Sequence, residues 1–136
     1  MSSRQVLVGL DVGEKRIGVS VADSSVRIAV PFSTIEVDGD ELKSIAEIVL
    51  KEDADVVVVG YPRNQQGEVT AQTKYVEDFA DKLDFLEAKI VFQDESLTSV
   101  LAEQQLISHK RPYSKGDIDA QAAALILQDY VERNYG

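Results

Sequence analysis

Residues Val6 to Val12 form an apolar run that is broken at Asp11-Val12-Gly13. Glu14 and Lys15 read as a turn. From Arg16 to Ala22 the pattern alternates, with Ile17, Val19 and Val21 set against Gly18, Ser20 and Ala22. Alternation of this kind marks a strand with two unlike faces. A third strand is predicted from Val26 to Val37, interrupted or edged at Pro31, because proline has no N–H to give to a ladder. Three strands joined by short turns predict an antiparallel meander.

The period then changes. Leu42, Ile45, Ile48 and Val49 stand at helical spacing within Asp40 to Glu52. Asp55 introduces Val56 to Val59, a β-branched block suited to a strand buried on both faces, and Gly60-Tyr61-Pro62 stops it. After a polar loop closed by Gly67, the stripe Val69, Thr73, Val76, Phe79, Ala80 and Leu83 predicts a second helix whose apolar side is core. Lys89 to Glu95 is the fifth strand, with Ile90 and Phe92 on one face and Val91 on the other. Thr98 or Ser99 caps a short helix through Leu106, and a final helix runs from about Asp117 to Arg133. The order β-β-β-α-β-α-β-α-α predicts an α/β domain over residues 1–136, a mixed five-stranded sheet flanked by helices. The rules for crossover connections and strand burial place the Val56 strand near the centre.

Composition narrows the chemistry. The chain of 136 residues is 44% hydrophobic, enough for a core, and contains no cysteine. Disulfides and thiolate metal sites are therefore excluded, which leaves oxygen ligands or the lone His109. Met1 to Gln5 carry no signal-peptide core, and runs such as Ala122 to Leu127 are too short to span a bilayer. A cytoplasmic protein with no membrane partner is expected. The net charge of −10 speaks against broad, non-specific binding to nucleic acid, which leaves a basic footprint. It does not exclude a nuclease, since carboxylates that hold divalent ions are themselves acidic and the ions reverse the local field.

Three acidic positions stand out. Asp11 interrupts an apolar strand, where a charge is costly unless paired, hydrated or metal-bound. Its ordinary alternative is a turn aspartate beside Gly13. Asp94 and Glu95 end the fifth strand and point to opposite faces, so one is a candidate for function and the other for solvent or a cap. Asp117 and Asp119 open the last helix, where acids suit the dipole. Asp119 is on the side that carries Ala122, Ala123 and Ile126 and faces inward more than a dipole acid would. A compact sheet can converge one acid from each place, and such an oxygen-only set suits Mg²⁺ or Mn²⁺ in phosphodiester hydrolysis.

The stretch GLDVGEKRIGVSVAD, from Gly9 to Asp23, resembles the YqgF/RuvX family. Further matches are VVVGYPRNQQG from Val57 to Gly67, DESLTS from Asp94 to Ser99 and DIDAQAAALILQDY from Asp117 to Tyr130, in the family's order. That family is described as Holliday-junction-resolvase-like and as a candidate nuclease for pre-16S ribosomal RNA. The resemblance implies a ribonuclease H-like fold and an acidic metal site in which Asp11, Glu95 and Asp119 are the catalytic carboxylates and metal ligands, with Asp94 in reserve. One departure is Ser96, where the family usually has an arginine able to meet a phosphate bidentately.

Groups able to hold a nucleic-acid substrate are Lys15 and Arg16 at the first hairpin, Arg63 and Asn64 after the Val56 strand, and Lys110, Arg111 and Lys115 in a basic loop that also carries His109 and Tyr113. For each, a solvated loop side chain is the plain alternative. The expected activity is that of an endonuclease in 5′ maturation of pre-16S rRNA, acting on structured rRNA precursor as a monomer or weak homodimer. The alternatives are cleavage of branched DNA at four-way junctions, for which no dimer face is evident, and a non-catalytic binding module. A phosphate-binding domain of the actin and sugar-kinase type fits less well, because such proteins generally need two domains.

Overall fold

The computed structural model describes residues 4–63, 66–95 and 115–135. The expected helix through Leu106 lies outside them, as do Asn64, Ser96, His109, Lys110, Arg111, Tyr113 and the side chain of Lys115. The described elements are β1 (Val6–Val12), β2 (Arg16–Asp23), β3 (Val30–Glu36), α1 (Glu41–Glu52), β4 (Val56–Pro62), α2 (Ala71–Asp81), β5 (Lys89–Glu95) and α3 (Lys115–Tyr135).

The strands form one five-stranded sheet in the order β3-β2-β1-β4-β5. β1, β2 and β3 pair antiparallel, as a meander must. β4 joins β1 in parallel, and β5 joins β4 in parallel through the α2 crossover that parallel neighbours need. The mixed sheet expected from the pattern is therefore present. β1 is its central strand, and β4 is the next one inward from the β5 edge.

Side-chain alternation gives the two faces different partners. Val8, Leu10, Val12, Ile17, Val19, Val57 and Val59 pack against Ile45 and Val49 of α1, Val76 and Phe79 of α2, and Leu83 just beyond it. Leu7, Ala22, Val56 and Val58 pack against Ile126, Leu127 and Val131 of α3. Burial of a side chain such as Leu83, which has no exposed surface, contributes roughly 1.5–3 kcal/mol.

Three boundaries differ from the hydrophobic pattern, and one of them is the end of β4, which runs on through Gly60, Tyr61 and Pro62, paired with Gln93, Asp94 and Glu95, instead of stopping there. The third strand begins at Val30, not Val26, because the chain first turns: the Asp23 carboxylate accepts from the Ser25 backbone N–H at 2.8 Å, and Arg27 takes a positive φ of 63°. Val26 and Ile28 are consequently exposed. The second helix begins after Val69, which is also exposed. Thr70 is its N-cap, in a reciprocal capping arrangement with Thr73, whose buried hydroxyl also donates to the Pro62 carbonyl.

Candidate active site

The α3 face of the sheet carries small residues where α3 crosses it. Ser20 donates to the Ala123 carbonyl at 2.7 Å, a buried bond that ties β2 to the helix. At Gly18 the approach is closer still, and a Cβ there would run into the backbone carbonyl of Asp119. Gly18 is the cross-strand partner of Asp11. The absence of a side chain at Gly18 thus lets the first turn of α3 come down on β2 and sets Asp119 beside Asp11.

A second glycine admits the third acid. β4 pairs with β1 through Leu10 and Val59, so Gly60 follows at the level of Asp11. A Cβ on Gly60 would run into Glu95 Oε2 and would lie 2.7 Å from Ile126 Cδ1. The Glu95 carboxyl therefore fills the space that Gly60 leaves, on the Asp11 side. Asp94 points the other way, with its side chain 63% exposed, and Asp117 is also exposed.

Electrostatics follow from this crowding. Burial, reinforced by the Asp119 charge, pushes the Asp11 carboxyl up from 3.8 to about 6. Burial, reinforced by the Asp11 charge, pushes Glu95 up from 4.5 to about 8. Both shifts have the sign of desolvated acids that lack a positive partner. Glu95 Oε2 is the one buried side-chain polar atom without a hydrogen-bond partner among the described residues. Such an orphan costs about 1–3 kcal/mol and calls for an explanation in function. Asp119 does have a partner: Arg16 Nε donates to its Oδ2 at 2.6 Å, with the two side chains 31% and 23% exposed. The contact holds the Arg16 guanidinium in its charged form.

Asp11, Glu95 and Asp119 are thus drawn to one face at the carboxyl ends of β1 and β5 and the start of α3, and Asp94 is not among them. Among the described residues no three carboxylates form a ready-made metal cage, and Arg16 engages Asp119. Lys15 is exposed at the hairpin. Arg63 is on the opposite side of the sheet, 5.1 Å from the Tyr61 ring centroid and 3.4 Å from Asp94 Oδ1. Sequence reading missed Gly18 and Gly60, which make room for the acids. It also missed the Arg16–Asp119 pair, which spans 103 positions of chain and leaves no local signal.

The fold and the chain both have known likenesses. The family described as "RuvX: Holliday junction resolvase" matches residues 5–133. A Chloroflexus aurantiacus protein named as a candidate pre-16S rRNA nuclease is 41% identical over 133 residues, covering 94% of this chain and 87% of that protein. A Synechocystis protein of the same name is 39% identical, covering 97% and 90%. Among solved structures, T. thermophilus RuvC in complex with a Holliday junction substrate superposes with a TM-score of 0.57 at 16% identity, over 97% of this chain and 96% of that one. At that identity the likeness concerns the fold, which is ribonuclease H-like. A match over nearly the whole chain and relatives at about 40% identity place the chain in the RuvX family.

Proposed function

We propose that this chain is a metal-dependent endonuclease that hydrolyses phosphodiester bonds in the 5′ maturation of pre-16S rRNA, working as a single nuclease domain with Asp11, Glu95 and Asp119 as its acidic centre. The observation that carries this reading is the pair of half-buried carboxyls around Gly60, both raised in pKa, one with a buried oxygen that nothing satisfies. A protein keeps so unfavourable a cluster where a cation completes it. The names of the relatives support the substrate.

The donor set fits Mg²⁺ or Mn²⁺, because it is all oxygen and anionic when deprotonated. Asp11 and Glu95 would hold the ion, and Asp119 is available in exchange for its pair with Arg16. When bound, the ion supplies Lewis-acid activation of a water and of the leaving oxygen. The chain's own part is to release the protons from Asp11 and Glu95 on binding, to keep the acids fixed against α3, and to present Arg16. Its guanidinium pairs with a phosphate as readily as with the carboxylate it now holds. Lys15 is proposed as a further phosphate contact at the rim and Arg63 as one on the other side of the sheet, together with Asn64, Lys110, Arg111 and Lys115.

The family description favours a second reading, cleavage of four-way DNA junctions. One assay separates the two. A labelled RNA spanning the 5′ end of pre-16S rRNA and a four-way DNA junction are each incubated in Mg²⁺, Mn²⁺ and EDTA. The expected result is cutting of the RNA in either metal and none in EDTA. Cutting of the junction alone would establish the second reading. Equal cutting with and without EDTA would remove the metal from the account.

A further inference from the structure

A cavity of about 470 Å³ opens at the β5 edge of the sheet, lined by Tyr61, Arg63, Glu77, Phe92, Gln93, Asp94 and Arg133. Its volume falls in the range of about 300–1,000 Å³ usual for small-ligand sites. The Tyr61 and Phe92 rings form its apolar wall, with centroids 5.1 Å apart at 65°. Phe92 is 45% exposed. The Tyr61 hydroxyl donates to Glu77 Oε2 at 3.3 Å, which fixes that ring. Arg63 stacks over Tyr61 and is steadied by Asp94.

An exposed aromatic face, a second ring at its edge, a guanidinium above and carboxylate acceptors at the side form a set suited to one planar, polar-edged, anionic-tailed ligand. Unpaired nucleotides are recognised by this chemistry: the base stacks on aromatic faces, its edge meets acceptors and the phosphate meets an arginine. Position favours the same ligand. Phe92 and Glu95 are three residues apart on β5, about 10 Å at strand rise, and on opposite faces of this edge strand. A strand passing from the carboxylate centre round the β5 edge to this cavity covers that rise and the thickness of the sheet as well, so the base held lies more than about three stacked nucleotides from the centre.

We propose that the cavity holds one unstacked base of a single-stranded segment flanking the cleaved bond, with Phe92 as its stacking face, Tyr61 at its edge and Arg63 on the adjoining phosphate. The inference rests on the nuclease reading but concerns a separate surface. The two arginines of the lining are matched by Glu77 and Asp94, so stacking and not net charge provides the affinity, and the contribution of Phe92 is insensitive to salt.

The test uses the full chain in EDTA with a 12-nucleotide RNA carrying 2-aminopurine, a DNA of the same sequence, and a fully paired RNA duplex. Binding is read by anisotropy and stacking by quenching of the 2-aminopurine. Phe92→Ala is expected to weaken single-strand binding roughly 5- to 150-fold, equivalent to about 1–3 kcal/mol, and to abolish quenching. Phe92→Trp is expected to keep both, and the duplex is expected to bind all three proteins alike. Loss on RNA and DNA together supports a site that ignores the sugar, and loss on RNA alone supports one that also reads the 2′-hydroxyl. Wild-type quenching and affinity in Phe92→Ala would overturn the proposal. So would an equal loss on the duplex, which would mark a protein- or duplex-docking surface. Cleavage in Mg²⁺ is scored separately. Quenching without cleavage refutes the nuclease reading and keeps the base site, and cleavage with an unaffected Phe92→Ala does the reverse.

Discussion

The two faces of the sheet are built to different ends. Towards α1 and α2, the strands present Val8, Leu10, Ile17, Val57 and Val59, bulky and fully or nearly fully buried, and the buried hydroxyl of Thr73 has its partners. Towards α3, the same strands present Gly18, Ser20, Asp11 and Gly60, and a carboxylate oxygen is left unsatisfied. One face contributes stability through close packing. The other packs closely around Leu7, Val58 and Leu127 but gives up packing volume and electrostatic comfort at its Asp11 end, where the acids crowd, and stability is characteristically given up where a function depends on it.

The comparison breaks most sharply at Asp11. Asp11→Asn is expected to lower cleavage on the order of a thousandfold, because under the proposed function Asp11 would hold an ion that supplies several kcal/mol of transition-state stabilisation. The same change leaves thermal stability equal or higher, since it removes a buried charge beside two acids. Single-turnover cleavage and thermal melting on one preparation check both halves.

Next in size is the pH dependence of the metal-free protein. Asp11 and Glu95 have folded-state pKa values of about 6 and 8 against ordinary values of 3.8 and 4.5. Between those limits the folded state binds more protons than the unfolded one, so stability falls as pH rises. The loss begins above about 4 and is complete above about 8. Denaturant titrations from pH 4 to pH 9 in EDTA are expected to show that slope, and Glu95→Gln is expected to flatten its upper half. An unchanged slope in Glu95→Gln would assign the effect to other groups.

Much of this was legible in the chain. The alternation from Arg16 to Ala22 correctly separated Ile17, Val19 and Val21 from Gly18, Ser20 and Ala22, because a half-buried strand imposes a period of two. The β-branched run Val56 to Val59 marked a strand covered on both sides. The overlong third strand reflects a turn made by the Asp23 side chain and a positive φ at Arg27, a residue type that does not advertise one. Asp11 was visible as a charge inside an apolar run. That Glu95 and not Asp94 turns inward, and that Arg16 closes on Asp119, depends on contacts between distant parts of the chain, which periodicity does not encode.

Two smaller effects sharpen the contrast. Leu83→Ala, on the α2 face, is expected to cost about 2–5 kcal/mol in denaturant unfolding while the folded fraction keeps its cleavage rate. Gly18→Ala, on the α3 face, is expected to cost a comparable amount, about 3 kcal/mol or more, because a Cβ there meets the Asp119 backbone and the start of α3 must shift. It should lower cleavage as well, since that turn carries Asp119. A Leu83→Ala protein that lost activity at full folding would erase the division between the faces.

The most direct test of the central claim is a calorimetric titration of Mn²⁺ into the protein in buffers of different ionisation enthalpy, at pH 6 and pH 8. The account predicts tighter binding at pH 8, protons released on binding at pH 6, and affinity lost in both Asp11→Asn and Glu95→Gln. Binding that is independent of pH and unchanged in both variants would contradict it and place any metal away from these acids.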